Sequence, residues 1–172
     1  LSGDLGAAYM GLHLLEREKR ACGGQPDPKP KFEGHEYILG RQLKPEARTD
    51  IIERLAEAGI VPTSMIDITD GLASETLHLC KSSGCGARIY LDRLPIARQT
   101  HDMAEELHAD PVVAALNGGQ DYELLFTVPL SKQQEIFALG VDVIGHVTAA
   151  GTGAMLVTPD GSEIALKAPG WK

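Results

Sequence analysis

Hydrophobic positions along the chain follow helical spacing in some stretches and strand-like runs in others. Leu5, Tyr9, Leu12 and Leu15 fall near helical spacing, so a helix is predicted over residues 4–20. Further helices are predicted at residues 37–43, 49–58, 71–82, 97–108, 111–116 and 131–139. Strands are predicted at residues 65–68, 87–91, 122–128, 141–147, 155–158 and 163–166. This mixture predicts an α/β (α+β) fold with a mixed β-sheet and helical layers.

The segment after the first predicted helix is rich in residues that interrupt regular structure. Gly23, Gly24, Pro26, Pro28 and Pro30 all fall within it. Such a composition is typical of an extended surface loop. We therefore expect a mobile loop at residues 21–35.

Composition and charge limit the classes of partner. The 172 residues and 18.4 kDa correspond to one domain with its own core. Hydrophobic residues make up 43% of the chain without a run long enough to span a bilayer, so no membrane partner is expected. The 24 acidic and 16 basic residues give a charge of −8, which opposes nonspecific nucleic-acid binding. An acidic protein that handles phosphates needs metal ions as mediators.

The cysteines and histidines do not form a recognisable structural or catalytic set. Cys22, Cys80 and Cys85 are an odd number without a Cys-x-x-Cys pair, which argues against a disulfide framework and a zinc site. A reducing, cytoplasmic location is expected. His101 and His108 fit a solvated helix face, and the sequence reveals no nucleophilic triad.

The most informative stretch is residues 64–72, where an apolar strand leads into two carboxylates, a hydroxyl and a glycine. Asp67 and Asp70 fall at the end of the strand and at the entrance to the next helix. Magnesium prefers oxygen ligands and is usually held by one or two carboxylates plus substrate phosphates. Alternatively, Thr69 or Asp70 only caps the helix, since both residue types are favoured there. The spacing by itself leaves both interpretations open.

A second polar turn, Asn-Gly-Gly-Gln-Asp at residues 117–121, directly precedes the apolar strand predicted at residues 122–128. Paired glycines allow the backbone to approach a ligand closely. The alternative is an ordinary turn, with Glu123 an outward-facing strand residue. The turn gains its interest from combination with residues 64–72.

Five segments, taken in order, resemble the carboxyl-terminal part of the thiamine-monophosphate kinase family, within the aminoimidazole-ribonucleotide-synthetase-like superfamily. They are Ser-Gly-Asp-Leu-Gly-Ala-Ala (2–8), Leu-Lys-Pro-Glu-Ala-Arg (43–48), Met-Ile-Asp-Ile-Thr-Asp-Gly-Leu (65–72), Gly-Gly-Gln-Asp-Tyr-Glu-Leu-Leu-Phe-Thr-Val (118–128) and Gly-Trp (170–171). They extend over nearly the whole chain. The Asp-x-x-Asp-Gly motif recurs across the superfamily, whereas the glycine-pair strand and the Gly-Trp favour this kinase.

The resemblance implies a function and a set of site residues. Enzymes of this family use ATP and magnesium to convert thiamine monophosphate into thiamine diphosphate by direct phosphoryl transfer. By resemblance, Asp67 and Asp70 are magnesium ligands and Thr69 contacts ATP. Gln120 and Trp171 are expected to contact thiamine monophosphate. The implied fold is that of the carboxyl-terminal domain of aminoimidazole ribonucleotide synthetase.

The chain departs from the family pattern in two respects. Gln120 stands where the family usually has Glu, so a neutral amide replaces the carboxylate that would meet the cationic thiamine. Residues 1–6 are expected to be the end of a missing amino-terminal domain, and residues 7–172 the carboxyl-terminal domain. In the family the amino-terminal domain supplies further metal-binding aspartates and the homodimer surface. The chain alone is therefore expected to be inactive.

Two other functions remain as alternatives. One is a related ATP-dependent synthetase of the same superfamily, which would bind an aminoribonucleotide in place of thiamine monophosphate. The other is a nonenzymatic nucleotide-binding module, which Gln120 and the missing domain would support.

Overall fold

The structure, a computed structural model, describes residues 1–23 and 29–168 of the chain. Its helices are α1 (Ala7–Cys22), α2 (Glu36–Leu43), α3 (Thr49–Glu57), α4 (Leu72–Ser83), α5 (Arg98–Leu107), α6 (Pro111–Asn117) and α7 (Gln133–Ala138). Its strands are β1 (Ser64–Asp67), β2 (Gly86–Tyr90), β3 (Leu124–Thr127), β4 (Gly145–Thr148), β5 (Ala154–Val157) and β6 (Glu163–Ala165). Short 3₁₀ turns lie at Leu91–Arg93 and Leu130–Lys132.

The described strands form two sheets, and helices pack around them. The larger is a mixed sheet in the order β4-β2-β5-β6, in which β2 and β5 are parallel and the other pairs are antiparallel. The smaller is an antiparallel pair of β1 and β3, with Asp67 opposite Leu124. The predicted α/β class with a mixed sheet is confirmed. The β1–β3 pair matters most for function because two polar turns adjoin the same end of it.

Apolar burial is divided among three clusters that join the helices to the sheets. The largest lies between α4, α6 and the sheets and includes Ile68, Leu72 and Leu156. Residues 1–6, which the sequence analysis assigned to a preceding domain, pack into this cluster through Leu1 and Leu5. A second cluster joins α1, α2 and α5. A third joins α3 and α7.

Helix α1 continues through Cys22, two residues beyond its predicted end. Lys19 and Arg20 lie in its last turn, where positive charge interacts favourably with the helix dipole. Of the predicted mobile loop at residues 21–35, residues 24–28 lie outside the described part. The backbone N–H of Lys31 donates to the carboxylate of Glu18 on α1 at 2.8 Å, so this part of the loop is attached to the helix.

The strand predicted at residues 141–147 is shifted towards the carboxyl terminus, and β4 begins only at Gly145. Val141 and Ile144 are buried, but they fill different clusters and therefore do not follow one strand face. Similarly, the helix predicted at residues 131–139 begins as the 3₁₀ turn Leu130–Lys132 before α7. None of the helices within residues 1–23 and 29–168 is long and apolar enough to cross a membrane.

Candidate active site

The strand–turn–helix predicted at residues 64–72 is present, and we call residues 67–71 the acidic loop. Asp67 ends β1 and is exposed, Ile68 is fully buried, and Asp70 is half-buried. Gly71 has a φ of 100°, and a Cβ there would lie 2.6 Å from the carbonyl oxygen of Leu116. The buried isoleucine and the close packing at the glycine fix a turn that places both aspartates near the surface.

The interpretation of Thr69 or Asp70 as a plain helix cap is wrong. The N-cap position of α4 is Gly71, without a side-chain cap. Instead, Oε1 of Glu75 accepts hydrogen bonds from the N–H of Asp70 at 3.1 Å and the hydroxyl of Thr69 at 3.3 Å. Glu75 is only 3% exposed, so these bonds are shielded from water. Helix α4 thus fixes the acidic loop through Glu75. The sequence marks this role only by an acidic residue in the first turn of the helix.

The carboxylates of Asp67 and Asp70 remain available for a ligand. Neither forms a hydrogen bond or an ion pair with any side chain or backbone group within residues 1–23 and 29–168. The same residues contain no group of three or more His, Cys, Asp or Glu that could hold a metal. A cation at these two carboxylates would therefore take its remaining ligands from substrate oxygens, water or residues outside the described part, as magnesium sites commonly do.

The second polar turn lies directly against the acidic loop, and we call residues 117–122 the glycine loop. The N–H of Gln120 donates to the carbonyl oxygen of Thr69 at 2.8 Å, and the N–H of Tyr122 to that of Ile68 at 2.9 Å. Gly119 has a φ of 72°, and a Cβ there would lie 2.3 Å from the carbonyl oxygen of Thr69. The glycine is required because the two loop backbones are in contact.

The side chain of Gln120 is held by two hydrogen bonds. Its Oε1 accepts from the hydroxyl of Tyr122 at 2.9 Å, and its Nε2 donates to the carbonyl oxygen of Thr69 at 3.4 Å. Gln120 and Tyr122 have φ values of 63° and 54°, a left-handed conformation that is uncommon outside glycine and often found at functional sites. A glutamate here would lack the donor that faces Thr69.

A pocket of about 420 Å³ connects the two loops with the first two helices. It is lined by Leu12, Gln42, Asp70 and Gln120. Oε1 of Gln42 is buried without a hydrogen-bond partner among the described residues. The structure therefore brings one predicted metal ligand and one predicted substrate residue to a single pocket. Trp171, the other predicted substrate residue, lies outside the described residues.

A larger cavity, of about 920 Å³, lies elsewhere, between the two sheets. Strand residues such as Phe126 and Ile89 line it, together with the carboxyl-terminal part of α4. None of the four predicted site residues that the structure describes, Asp67, Thr69, Asp70 and Gln120, borders it. Volume alone would thus have identified a different region from the one that contains the unpartnered carboxylates.

Beneath the glycine loop lies a buried ion cluster centred on Glu123. This carboxylate is 2% exposed, forms an ion pair with Arg41 at 3.0 Å, and accepts hydrogen bonds from Arg48 and, at 2.5 Å, from the hydroxyl of Ser2. Hydrogen bonding to Asp50, with a further contribution from Glu123, raises the pKa of Arg48. The interpretation of Glu123 as an outward-facing strand residue is wrong.

Asp121 closes the other side of the glycine loop by capping α1. Its two carboxylate oxygens accept from the N–H of Gly6 at 3.1 and 3.0 Å. Burial raises the pKa of Asp121 to about 7, although the N–H groups of Gly6 and Ala8 and the charge of Arg41 act in the opposite direction. Helix α1, which lines the pocket through Leu12, is thereby fixed to the glycine loop.

Comparison with known proteins identifies similarity over nearly the whole chain. Residues 2–158 match the family model described as AIR synthase related protein, C-terminal domain. The chain is 32% identical over 173 residues to a thiamine-monophosphate kinase of Aquifex aeolicus and 37% identical over 181 residues to that of Escherichia coli K12. Each alignment covers 100% of this chain and 50% of the relative, so the chain spans about half the length of these curated relatives.

A solved structure gives a similar result. AaThiL complexed with AMPPCP and TMP superposes with a TM-score of 0.76 at 32% identity, covering 99% of this chain and 49% of that one.

Proposed function

The chain belongs to the family described as the C-terminal domain of AIR synthase related proteins, and from this membership we propose that it forms part of a thiamine-monophosphate kinase. The proposed reaction converts ATP and thiamine monophosphate into ADP and thiamine diphosphate. The names of the relatives support this substrate pair, as does the related structure with thiamine monophosphate and an ATP analogue.

The observation that carries the proposal is the pair of unpartnered carboxylates on the acidic loop, one of which, Asp70, lines the pocket between the two loops. Asp67 and Asp70 are fixed by the backbone and by Glu75, yet their own oxygens are not used by the described residues. Charged groups that serve stability are normally paired when they are buried, as Glu123 is. The half-buried Asp70 lacks such a partner among the described residues, and Asp67 presents a second carboxylate on the same loop, an arrangement that suits a cation binding with the substrate.

Magnesium fits the donor set. Carboxylate oxygens are the ligands it prefers, and it commonly completes its coordination with phosphate oxygens and water. When bound, it would neutralise charge on the transferred phosphoryl group and orient the phosphates of ATP. We propose Asp67 and Asp70 as ligands, within a set completed by groups beyond the described residues.

The remaining site residues would position the two substrates. The hydroxyl of Thr69, oriented by Glu75, is proposed to contact ATP. Gln120 and Trp171 are proposed to contact thiamine monophosphate. A phosphate oxygen of thiamine monophosphate would then form a bond to the γ-phosphorus as the bond from that atom to the departing ADP breaks. Such transfer depends mainly on positioning and charge neutralisation, which suits a site of fixed loops.

Gln120 would modify substrate binding. A neutral amide does not offer the cationic thiamine the charge attraction of a carboxylate. Its Nε2 donates across to the acidic loop at the carbonyl oxygen of Thr69, while its Oε1 accepts from Tyr122 within the glycine loop. The residue is therefore proposed to favour loop order over charge pairing with the substrate.

The whole-protein features are proposed from the family resemblance of the sequence. Because the chain spans about half of the relatives' length, we expect the remaining metal and nucleotide contacts, and a homodimer interface, to come from sequence that the relatives have in addition. A cytoplasmic location is proposed from the cysteine content of the chain. The 172-residue chain assayed alone is expected to give no turnover.

A turnover assay on the complete gene product, with ATP, magnesium and thiamine monophosphate, tests the proposal. Formation of thiamine diphosphate, lost on addition of a metal chelator, is expected. Consumption of an aminoribonucleotide with no product from thiamine monophosphate would favour the synthetase. Nucleotide binding without turnover of either compound would favour the nonenzymatic module.

A further inference from the structure

Two cysteines meet at the end of α4, away from the candidate active site. The helix ends at Gly84, which has a left-handed φ of 61° and turns the chain back on itself. The N–H of Cys85 then donates to the carbonyl oxygen of Cys80 at 3.0 Å. This backbone bond is that of a Schellman motif, in which the side chains of the two bonded residues, here Cys80 and Cys85, frequently pack against each other.

The two thiols also influence each other. Burial, the largest cause, raises the pKa of Cys80 to about 11, and the neighbouring Cys85 adds to this rise. Both side chains are half-buried and border the cavity of about 920 Å³ between the sheets. The third cysteine, Cys22, lies at the end of α1 and does not border this cavity. The pair is thus preformed and partly accessible to a small reagent.

We propose that Cys80 and Cys85 are a reversible dithiol–disulfide pair that exchanges with low-molecular-weight disulfides such as glutathione disulfide. In the first step the thiolate of Cys85 attacks one glutathione sulfur, forming a mixed disulfide and releasing one glutathione. Cys80 then loses its proton and attacks Cys85, forming the intrachain S–S bond and releasing the second glutathione. The two cysteines lose two electrons and two protons, and the two glutathiones receive them.

The order of attack follows from the surroundings of the thiols. Burial raises the pKa of the Cys80 thiol, so Cys80 is assigned the second step, in which the backbone bond from Cys85 holds it next to the mixed disulfide. The sulfurs must approach to about 2.05 Å to form the bond. Residues 81–84 between them are exposed, so this turn can adjust without disturbing the core.

Tryptic mapping tests the proposal on the native chain, because cleavage after Lys81 separates the cysteines. Protein equilibrated with glutathione disulfide is alkylated, unfolded and digested without reductant. We expect residues 55–81 and 82–88 to be recovered as one disulfide-linked species. Two of the three thiols should be lost to alkylation, and dithiothreitol should restore both without change in circular dichroism.

Single substitutions supply the matched controls. Cys22→Ser should retain the linked species, whereas Cys80→Ser and Cys85→Ser should both lose it, with a glutathione adduct on Cys85 in Cys80→Ser. Glutathione adducts on both cysteines of the native wild type, or unreacted thiols at both, would overturn the proposal. A linked species that forms only after unfolding in urea would also overturn it. None of these outcomes depends on kinase activity, so the proposal stands apart from the proposed function.

Discussion

Two sets of carboxylates lie close together in this protein and have opposite surroundings. In the buried set, Glu123 is bound by two arginines, and Glu75 accepts from two groups of the acidic loop. In the unpartnered set, Asp67 is exposed and Asp70 is half-buried, and neither carboxylate has a partner among the described residues. The same chemical group thus serves stability where its oxygens are satisfied and remains available for a ligand where they are not.

This difference gives a criterion for assigning roles to acids in an uncharacterised site. Substitution of a buried, paired acid should cost stability, because it leaves charges or donors without partners. Substitution of an unpartnered acid should leave stability nearly unchanged and affect only ligand-dependent properties. The predictions below run from the largest expected change in the free energy of unfolding to the smallest.

Glu123→Ala should have the largest effect. Removing the carboxylate leaves the half-buried Arg41 and Arg48 without their shared partner, which should lower the free energy of unfolding by about 2–4 kcal/mol. Urea unfolding followed by circular dichroism measures the change. Glu135→Ala is the matched control, since its pair with Lys132 is exposed and should contribute less than about 1 kcal/mol. Equal losses of stability in Glu123→Ala and Glu135→Ala would show that burial and pairing do not give Glu123 a special stabilising role.

Asp121 should make stability depend on pH. Its pKa in the folded protein, about 7, exceeds that in the unfolded chain, so the folded state retains a proton that the unfolded state has released. The free energy of unfolding should therefore fall as pH rises from the ordinary carboxyl pKa of 3.8 to the folded-state pKa of about 7. The expected fall is on the order of 2 kcal/mol between about pH 5 and about pH 8. Urea unfolding at several pH values measures it, with Asp121→Asn as reference. Parallel curves for the two proteins would contradict the assignment.

Glu75→Ala should cost less than loss of Glu123. The substitution leaves the N–H of Asp70 and the hydroxyl of Thr69 without their acceptor, which should lower stability by about 1–3 kcal/mol. Hydrogen exchange at Asp70, measured by NMR, should accelerate with it. Glu53→Ala on the exposed face of α3 is the control and should change neither property. Unchanged exchange at Asp70 would show that Glu75 does not hold the acidic loop.

Gln120→Glu should have a smaller and more mixed effect. The new carboxylate cannot donate to the carbonyl of Thr69, so stability should fall by about 1 kcal/mol. In the complete gene product, the added charge should strengthen binding of thiamine monophosphate in calorimetry. Gln134→Glu, the same change at an exposed position of α7, should affect neither. Unchanged substrate affinity in Gln120→Glu would remove this position from the proposed site.

The sequence predicted the features that depend on neighbouring residues. The acidic loop was found because an apolar strand, two aspartates and a glycine are contiguous, and the Gly-Gly pair is likewise local. Most helix and strand positions followed from periodicity for the same reason. The strand predicted from residue 141 began later because its apolar residues fill separate clusters, which only the tertiary structure determines.

The supporting interactions were not predictable, because their partners are distant in sequence. Arg48 lies 75 residues from Glu123, and Gly6 lies 115 residues from the Asp121 that caps its helix. The contact between the acidic and glycine loops joins residues 51 apart, and only the resemblance had associated them. The role of Trp171 stays a prediction, since it lies outside the described residues.

The most direct test of the central claim is the rate of thiamine diphosphate formation by the complete gene product carrying Asp70→Asn. Asp92→Asn, which removes an exposed aspartate elsewhere, is the control. We predict that Asp70→Asn lowers the rate by about 100-fold or more while the free energy of unfolding changes by less than about 0.5 kcal/mol. A wild-type rate, or a loss of stability that accounts for the loss of rate, would contradict the assignment of Asp70 to a ligand-binding role.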